Sequence, residues 1–309
     1  MGLMRSVLLA ASENQWLRKQ APQFGFVRRT VSRFMPGERL EDAAAAAESL
    51  RRNGLRSIFT PLGENVADRS QAEAAAQEYI DAVVQIRALQ LPGAVSLKLT
   101  HLGLDFDSEF CFAQLERVLE AAETKIPVWI DMESSAYVDR TLDLFRRARA
   151  RQCNVGVCVQ SYLFRTQDDL ESLLPLGAAI RLVKGAYREP ANIAFPRKRD
   201  VDHNFFALTE RLFSDQARAS GVWPCIGTHD LDLIARVKQL VAGRGVAKDA
   251  FEFAMLYGIQ RPAQLQLAQE GFNSSVLISY GDYWYAWFMR RLAERPANLL
   301  FAARNMLSG

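Results

Sequence analysis

Lys98, Asp131, Arg181, Lys184 and His229 each stand on or just beyond a short apolar run that is otherwise almost free of ionisable side chains. Charged groups are seldom buried unless they are paired or liganded. Their recurrence at the same end of several runs therefore points to a site. Lys98 and Arg181 alternate with apolar neighbours, so each would project from a strand towards the mouth of a sheet structure, as part of a site or as half of a structural ion pair. Asp131 is a strand-end acid, Glu133 could equally cap the next helix, and His229 could be a hydrogen-bonded loop residue. Lys184-Gly185-Ala186 is a cation followed by residues without bulk, which lets backbone come close to a phosphate or a flat ring. Arg197-Lys198-Arg199 lies in the long loop that follows, where it is either a solvated face or a pyrophosphate reader. Near the end of the chain Trp287, Arg290, Arg291 and Glu294 fall three and four apart and share a helix face. Adjacent arginines suit a carboxylate or phosphate, and the aromatic run from Tyr283 to Phe288 could wall a small pocket or simply pack.

The elements that must position these groups follow a rhythm. Strand-like runs occur at Leu55–Thr60, Ala94–Thr100, Ile126–Asp131, Asn154–Gln160, Ala178–Lys184, Trp223–Thr228, Ala250–Leu256 and Ser274–Tyr280. Amphipathic runs lie between them at Arg69–Leu89, Ser108–Glu123, Val138–Arg149, Gln167–Leu174, Val201–Ser220, Leu231–Ala242, Pro262–Glu270 and Tyr283–Arg295. Strands alternating with helices argue for a parallel sheet, and runs apolar throughout argue that both faces are covered. Eight such units fit an α/β fold of the (β/α)8 TIM-barrel type, with a site at the C-terminal strand ends. A doubly wound open sheet is the alternative, but no GxGxxG follows any strand. Residues 1–53 read as a helical arm, with a poly-Ala helix at Glu38–Arg52 ended by Asn53-Gly54. Residues 54–309 read as the barrel, and the whole as a single catalytic domain.

Composition narrows the function classes. Among 309 residues, 38 Lys and Arg face 35 Asp and Glu, a net charge of +3, too balanced to argue for nucleic acid. Four cysteines without a CxxC pair and three dispersed histidines without HExxH speak against a disulfide framework or a metal site, and for a reducing, cytoplasmic setting. No run approaches the ~18 apolar residues of a membrane span.

Two long motifs carry a resemblance. The stretches Arg181-Leu182-Val183-Lys184-Gly185-Ala186-Tyr187-Arg188-Glu189-Pro190 and Phe288-Met289-Arg290-Arg291-Leu292-Ala293-Glu294-Arg295-Pro296 strongly resemble the FAD-dependent proline dehydrogenases. Shorter matches follow in order along nearly the whole chain: Leu97-Lys98-Leu99-Thr100, Ile130-Asp131-Met132-Glu133, Val159-Gln160-Ser161-Tyr162, Gly227-Thr228-His229-Asp230 and Phe251-Glu252-Phe253. Arg33-Phe34 and Gly37-Glu38 look like the stand-alone bacterial members. The resemblance implies oxidation of L-proline to Δ1-pyrroline-5-carboxylate, with hydride passing to flavin N5 and electrons to a membrane quinone. That quinone implies transient contact with the inner face of a membrane, for which the arm around Arg28, Arg29 and Arg33 is one candidate and packing on the barrel the alternative. It implies that Lys98, Arg290 and Arg291 bind the substrate carboxylate and that Tyr280, Leu256, Tyr187, Ala186 and Trp287 line the ring pocket. Arg181 would sit near flavin N5, with Asp131 close by. Gln160, Lys184, Gly185, Ala186, Arg197, Lys198, Thr228, His229 and Glu294 would hold the rest of FAD, and Glu64 would pair with Arg181 as a gate. With no segment assigned to a second enzyme, the product is expected to pass to a separate pyrroline-5-carboxylate dehydrogenase.

Three positions depart from the family pattern. Trp287 replaces a usual Tyr, which could change the preferred substrate towards a related cyclic amine such as hydroxyproline. Ala254 replaces a usual Gln, removing one polar contact to FAD, and Asp230 stands where Asn is frequent. Two other classes stay open on residue types alone: a Schiff-base lyase or aldolase using Lys184 or Lys98, and a non-catalytic barrel that binds small acids.

Overall fold

The computed structural model describes residues 31–285 and Phe288. Within them the eight strand-like runs form a closed parallel barrel in sequence order. The strands are β1 (Arg56–Pro61), β2 (Gly93–Leu97), β3 (Val128–Ile130), β4 (Val155–Gln160), β5 (Ala179–Val183), β6 (Trp223–Gly227), β7 (Glu252–Leu256) and β8 (Asn273–Tyr280). The helices are α1 (Leu40–Arg51), α2 (Arg69–Ala88), α3 (Ser108–Ala122), α4 (Val138–Arg151), α5 (Thr166–Leu173), α6 (Lys198–Leu212), α7 (Asp215–Ala219), α8 (Leu231–Gly243) and α9 (Arg261–Gln269).

Alternation along each strand divides two cores. Val95, Leu97, Val128, Ile130, Val155, Val157, Ile180, Leu182 and Phe253 point outwards into the layer of helices. Ile58, Ala94, Trp129, Cys225 and Ala254 point into the lumen, with Ala179 and Leu277 against them. The lumen is thus floored by mostly small side chains around one indole. Gly156 makes room for that indole, because a Cβ there would strike the Trp129 ring. Side chains fill the barrel floor and leave chemistry to the rim, as in other barrels of this type.

Helix starts are set by short polar caps directly after the strand-end loops. Asp68 accepts from Gln71 N at the start of α2, Asp107 from Phe110 N at α3 and Asp230 from Leu233 N at α8. The run expected to be one helix over Val201–Ser220 is two. α6 ends at Leu212, and Ser214 caps α7 by accepting from Ala217 N. A local hydroxyl cap outcompetes continuation of the helix there. The poly-Ala helix α1 lies against β8 and β1. Ala43, Ala44, Ala46 and Ala47 bury their methyls there, so the helix closes the seam where the barrel's first and last strands meet.

The described part of the arm packs on the barrel. Val31, Phe34 and Met35 join Leu62, Ile259, Trp284, Tyr285 and Phe288 in a separate apolar cluster, and Trp284 Nε1 donates to Glu38 Oε1 at 2.8 Å. Arg28 and Arg29 lie outside the described residues. No helix among the described residues is long and apolar enough to cross a membrane.

Candidate active site

The C-terminal rim of β2, β3 and β5 carries a buried charge network. Arg181, in mid-β5, points into the lumen and is only 3% exposed. Its Nη2 donates to Ser96 Oγ at 2.6 Å and to Asp131 Oδ1. Ser96 Oγ in turn donates to the same carboxylate oxygen at 3.0 Å. The guanidinium carbon lies 4.9 Å from the centre of the Trp129 ring, a cation–π distance. Burial works to lower the Arg181 pKa, but the Asp131 carboxylate together with the neighbouring Cys158 and Cys225 sulfurs outweighs it and the net shift is upwards, so the cation persists. Its Nη1 has no partner among the described residues.

Lys98 and Glu64 form the next layer. Lys98 Nζ donates to Glu64 Oε2 at 2.5 Å, and both side chains keep about a fifth of their surface exposed. Strand β2 stops at Leu97, so Lys98 begins the loop rather than lying within the strand as expected. That loop folds back on itself, with His101 N donating to Lys98 O. Glu133 does not cap a helix. It is buried, and accepts from Thr100 N at 3.1 Å and Thr100 Oγ1 at 2.6 Å, which pins the Lys98 loop to the end of β3. His101 is also buried and shares a 3.0 Å hydrogen bond through Nδ1 with the Tyr79 hydroxyl. Burial, then the Lys98 charge, press its pKa down to about 4, so it is neutral at ordinary pH.

Loops from β4, β5 and β6 build the other half. Tyr162 N donates to Lys184 O, Phe195 N to Tyr162 O, and Ser135 N and Oγ to the Glu189 carboxylate at 2.7 and 2.6 Å. Gly185 takes φ +106, a left-handed backbone, and a Cβ there would run into the Tyr162 ring. Gln160 donates through Nε2 to Met132 O at 3.2 Å, while its buried Oε1 has no partner among the described residues. Lys184 Nζ donates to Asp202 Oδ1 at 2.5 Å and Asp230 Oδ2 at 2.9 Å. Lys198, at the first turn of α6, reaches the same two carboxylates. Thr228 is buried, and its Oγ1 accepts from Asp230 N at 3.2 Å. His229 Nε2 accepts from Leu256 N at 2.9 Å, which leaves the ring's proton on Nδ1 and ties the end of β6 to the end of β7. Leu256 ends β7 in register with Leu277 of β8; Leu256 packs against the apolar cluster of the arm, and Leu277 lies against the lumen floor.

A family model for proline dehydrogenase matches residues 43–304. The chain belongs to the proline dehydrogenase family. It is 38% identical over 306 residues to Proline dehydrogenase 1 of Bacillus subtilis (strain 168), and 37% identical over 313 residues to Proline dehydrogenase of Deinococcus radiodurans, with 99% of each chain covered in both comparisons. Among solved structures, proline utilization A (PutA) from Bdellovibrio bacteriovorus inactivated by N-propargylglycine superposes with a TM-score of 0.81 at 21% identity. The match takes in 94% of this chain but only 36% of that one, and it bears on the fold.

Among the residues that resemblance to proline dehydrogenases picks out, the structure brings Glu64, Lys98, Asp131, Gln160, Arg181, Lys184, Gly185, Thr228, His229 and Leu256 to one end of the barrel. Ala186 and Tyr187 follow Gly185 in the loop and are half-buried. Arg197 is the N-cap residue of α6, is largely exposed, and donates to Asp200 at 2.6 Å. Trp287, Arg290, Arg291 and Glu294 lie outside the described residues.

Two expectations are corrected. Glu64 pairs with Lys98, whereas Arg181 pairs with Asp131 and Ser96. Arg181 lies at the level of Ser96, two residues below Lys98 on the same strand face, while Glu64 follows β1 directly beside the end of β2. Tyr280 does not face the lumen. Leu277 faces the lumen, so Tyr280, an odd number of residues on, falls on the opposite face and is buried in the outer core. Burial, then the charges of Glu78 and Asp81 on α2, raise its phenol pKa. Ser96 was missed because a serine within a strand carries no signal of chemistry until register sets it between an acid and a base.

Proposed function

We propose that this chain oxidises L-proline to Δ1-pyrroline-5-carboxylate with FAD as its resident cofactor, passing the electrons on to a quinone. The observation that carries the reading is that, among the unspent buried groups of the described residues, Arg181 Nη1 and Gln160 Oε1 stand at the rim, one donor and one acceptor. Buried polar groups are ordinarily satisfied, and the polar edge of a flavin ring presents both complements. The close backbone approach at Gly185 and the two lysines that follow β5, Lys184 and Lys198, suit the remainder of the cofactor. The residues present therefore fit the group. Bound there, the flavin supplies the two-electron acceptance that no protein side chain offers.

The chain's own residues do the rest. Lys98 keeps two N–H donors beyond its bond to Glu64 and, with Arg290 and Arg291, would fix the substrate carboxylate. Holding a small ring by its carboxylate orients the carbon next to nitrogen, and orientation alone can remove a large part of a barrier. Leu256 would present an apolar surface to the ring, where an ammonium is disfavoured and the amine sheds its proton more readily. Arg181 is held protonated by Asp131 at the position where negative charge would develop.

Lys98 and Lys184 are both ion-paired, unlike the desolvated amines that act as Schiff-base nucleophiles. The test is the visible spectrum of the purified protein, recorded anaerobically before and after L-proline. A flavin band that bleaches is expected, and hydroxyproline added in parallel measures the preference set around Trp287. A protein that binds no flavin, or a flavin that proline leaves oxidised, refutes the proposal.

A further inference from the structure

The rim between β5 and β6 holds four charges in a closed lattice. Lys184 lies between Asp202 and Asp230, and Lys198 spans the same two carboxylates, at 3.3 Å from Asp230 Oδ2. Two cations and two anions leave this group neutral. The partners are unequal. Lys184 keeps about a quarter of its side-chain surface, while Lys198 keeps 74% and sits in the first turn of α6. A cation there opposes the helix dipole. The N-cap residue of α6 is Arg197, which makes no side-chain cap bond, and Arg199 adds a third positive charge. Asp200, also in that first turn, pairs with Arg197 and Arg199, so the anions that hold Lys198 down are Asp202 and Asp230. Asp230 stays ionised. Burial works to raise its pKa, but the bonds and charges of Lys184 and Lys198 outweigh it and hold it at about 2.

We propose that Asp202 and Asp230 are internal competitors for the phosphate-bearing part of the cofactor, releasing Lys198 to it while retaining Lys184, so that cofactor affinity is set by an exchange of anions within the chain. This rests on the flavin reading above. Lys184, packed against both acids, stays as a fixed post, and Lys198, three-quarters exposed, is the arm that changes partner. The cost of breaking its two ion pairs is subtracted from what the phosphates gain.

The experiment titrates the full-length chain with FAD and with riboflavin, following flavin fluorescence at low and at moderate salt. Asn caps a helix as well as Asp, so Asp230→Asn keeps the start of α8 while removing one competing charge. Asp202→Asn removes the other from within α6. Each variant is expected to bind FAD about 5-fold more tightly than the parent at low salt, with the gain shrinking as salt screens the exposed lysine. Riboflavin, which has no phosphate, should bind all three proteins alike. FAD affinity that is unchanged or weaker in both variants, or riboflavin affinity that moves in step with FAD, overturns the proposal while leaving the flavin reading intact. A parent chain that binds neither flavin overturns both.

Discussion

Replacing Asp131 by Asn tests the central network most directly. The substitution keeps the shape and one acceptor oxygen for Ser96 and Arg181, and removes only the charge. Arg181 would then be a guanidinium 3% exposed, held by a hydroxyl, an amide oxygen and the Trp129 ring. Stripping one partner from a buried ion pair costs ~3–5 kcal/mol. The Asp131 side chain retains 23% exposure, so water already screens part of the attraction. That puts the expected loss at the low end, about 3 kcal/mol, or roughly two decades in the folding equilibrium.

Equilibrium denaturation in guanidinium chloride measures this loss as a lowered midpoint with an unchanged slope. The decisive comparison adds Arg181→Met, alone and combined with Asp131→Asn. Methionine fills much of the same lumen volume without a charge, so the double variant should recover most of the stability lost by Asp131→Asn, with a coupling of about 2 kcal/mol. Strictly additive losses, or an Asp131→Asn variant within about 1 kcal/mol of the parent, would refute the assignment of Asp131 as the counter-charge that keeps Arg181 in the lumen. Both variants should also slow flavin reduction by proline, Arg181→Met the more severely.

His101 gives a pH signature. Its usual pKa of 6.5 falls to about 4 in the fold, so between those values the unfolded chain holds a proton that the folded chain refuses, and stability drops as pH falls through that window. The contribution is at most about 3 kcal/mol; thermal unfolding from pH 7 to 4.5 should be steeper for the parent than for His101→Gln. Taking the difference between the two proteins cancels the opposite contribution of Glu133, whose carboxyl burial raises. Gly185→Ala should strain the β5 loop and displace the Tyr162 ring, weakening flavin binding at least 10-fold by fluorescence titration; unchanged affinity would mean the loop can relax. Arg290→Met should raise the KM for proline steeply while flavin stays bound, and loss of flavin instead would show that the arginine has a different role.

The alternation of apolar and amphipathic runs was legible in the chain because each period is a local property. A strand buried on both faces must be apolar throughout, and an outer helix must carry an apolar stripe. That is why all eight strands and the order of the barrel could be read, with bounds displaced by only a few residues. The long motifs around Arg181 and Arg290 were equally legible, and they carried the family. Partners were not. Whether Glu64 meets Arg181 or Lys98 depends on the heights at which neighbouring strands deliver their side chains. That register is set by how eight strands close around Trp129 and its small neighbours. The face taken by Tyr280 is likewise a matter of parity, since a shift of one residue moves a side chain from lumen to outer core. Ser96 gains its place between Asp131 and Arg181, and Asp230 its place beside Lys184 and Lys198, only because closure brings together segments far apart in the chain. Residue type and period determined which elements form and which chemistry they carry. The packing of the closed barrel decided which charge neutralises which, because that choice is made by distances the linear chain does not contain.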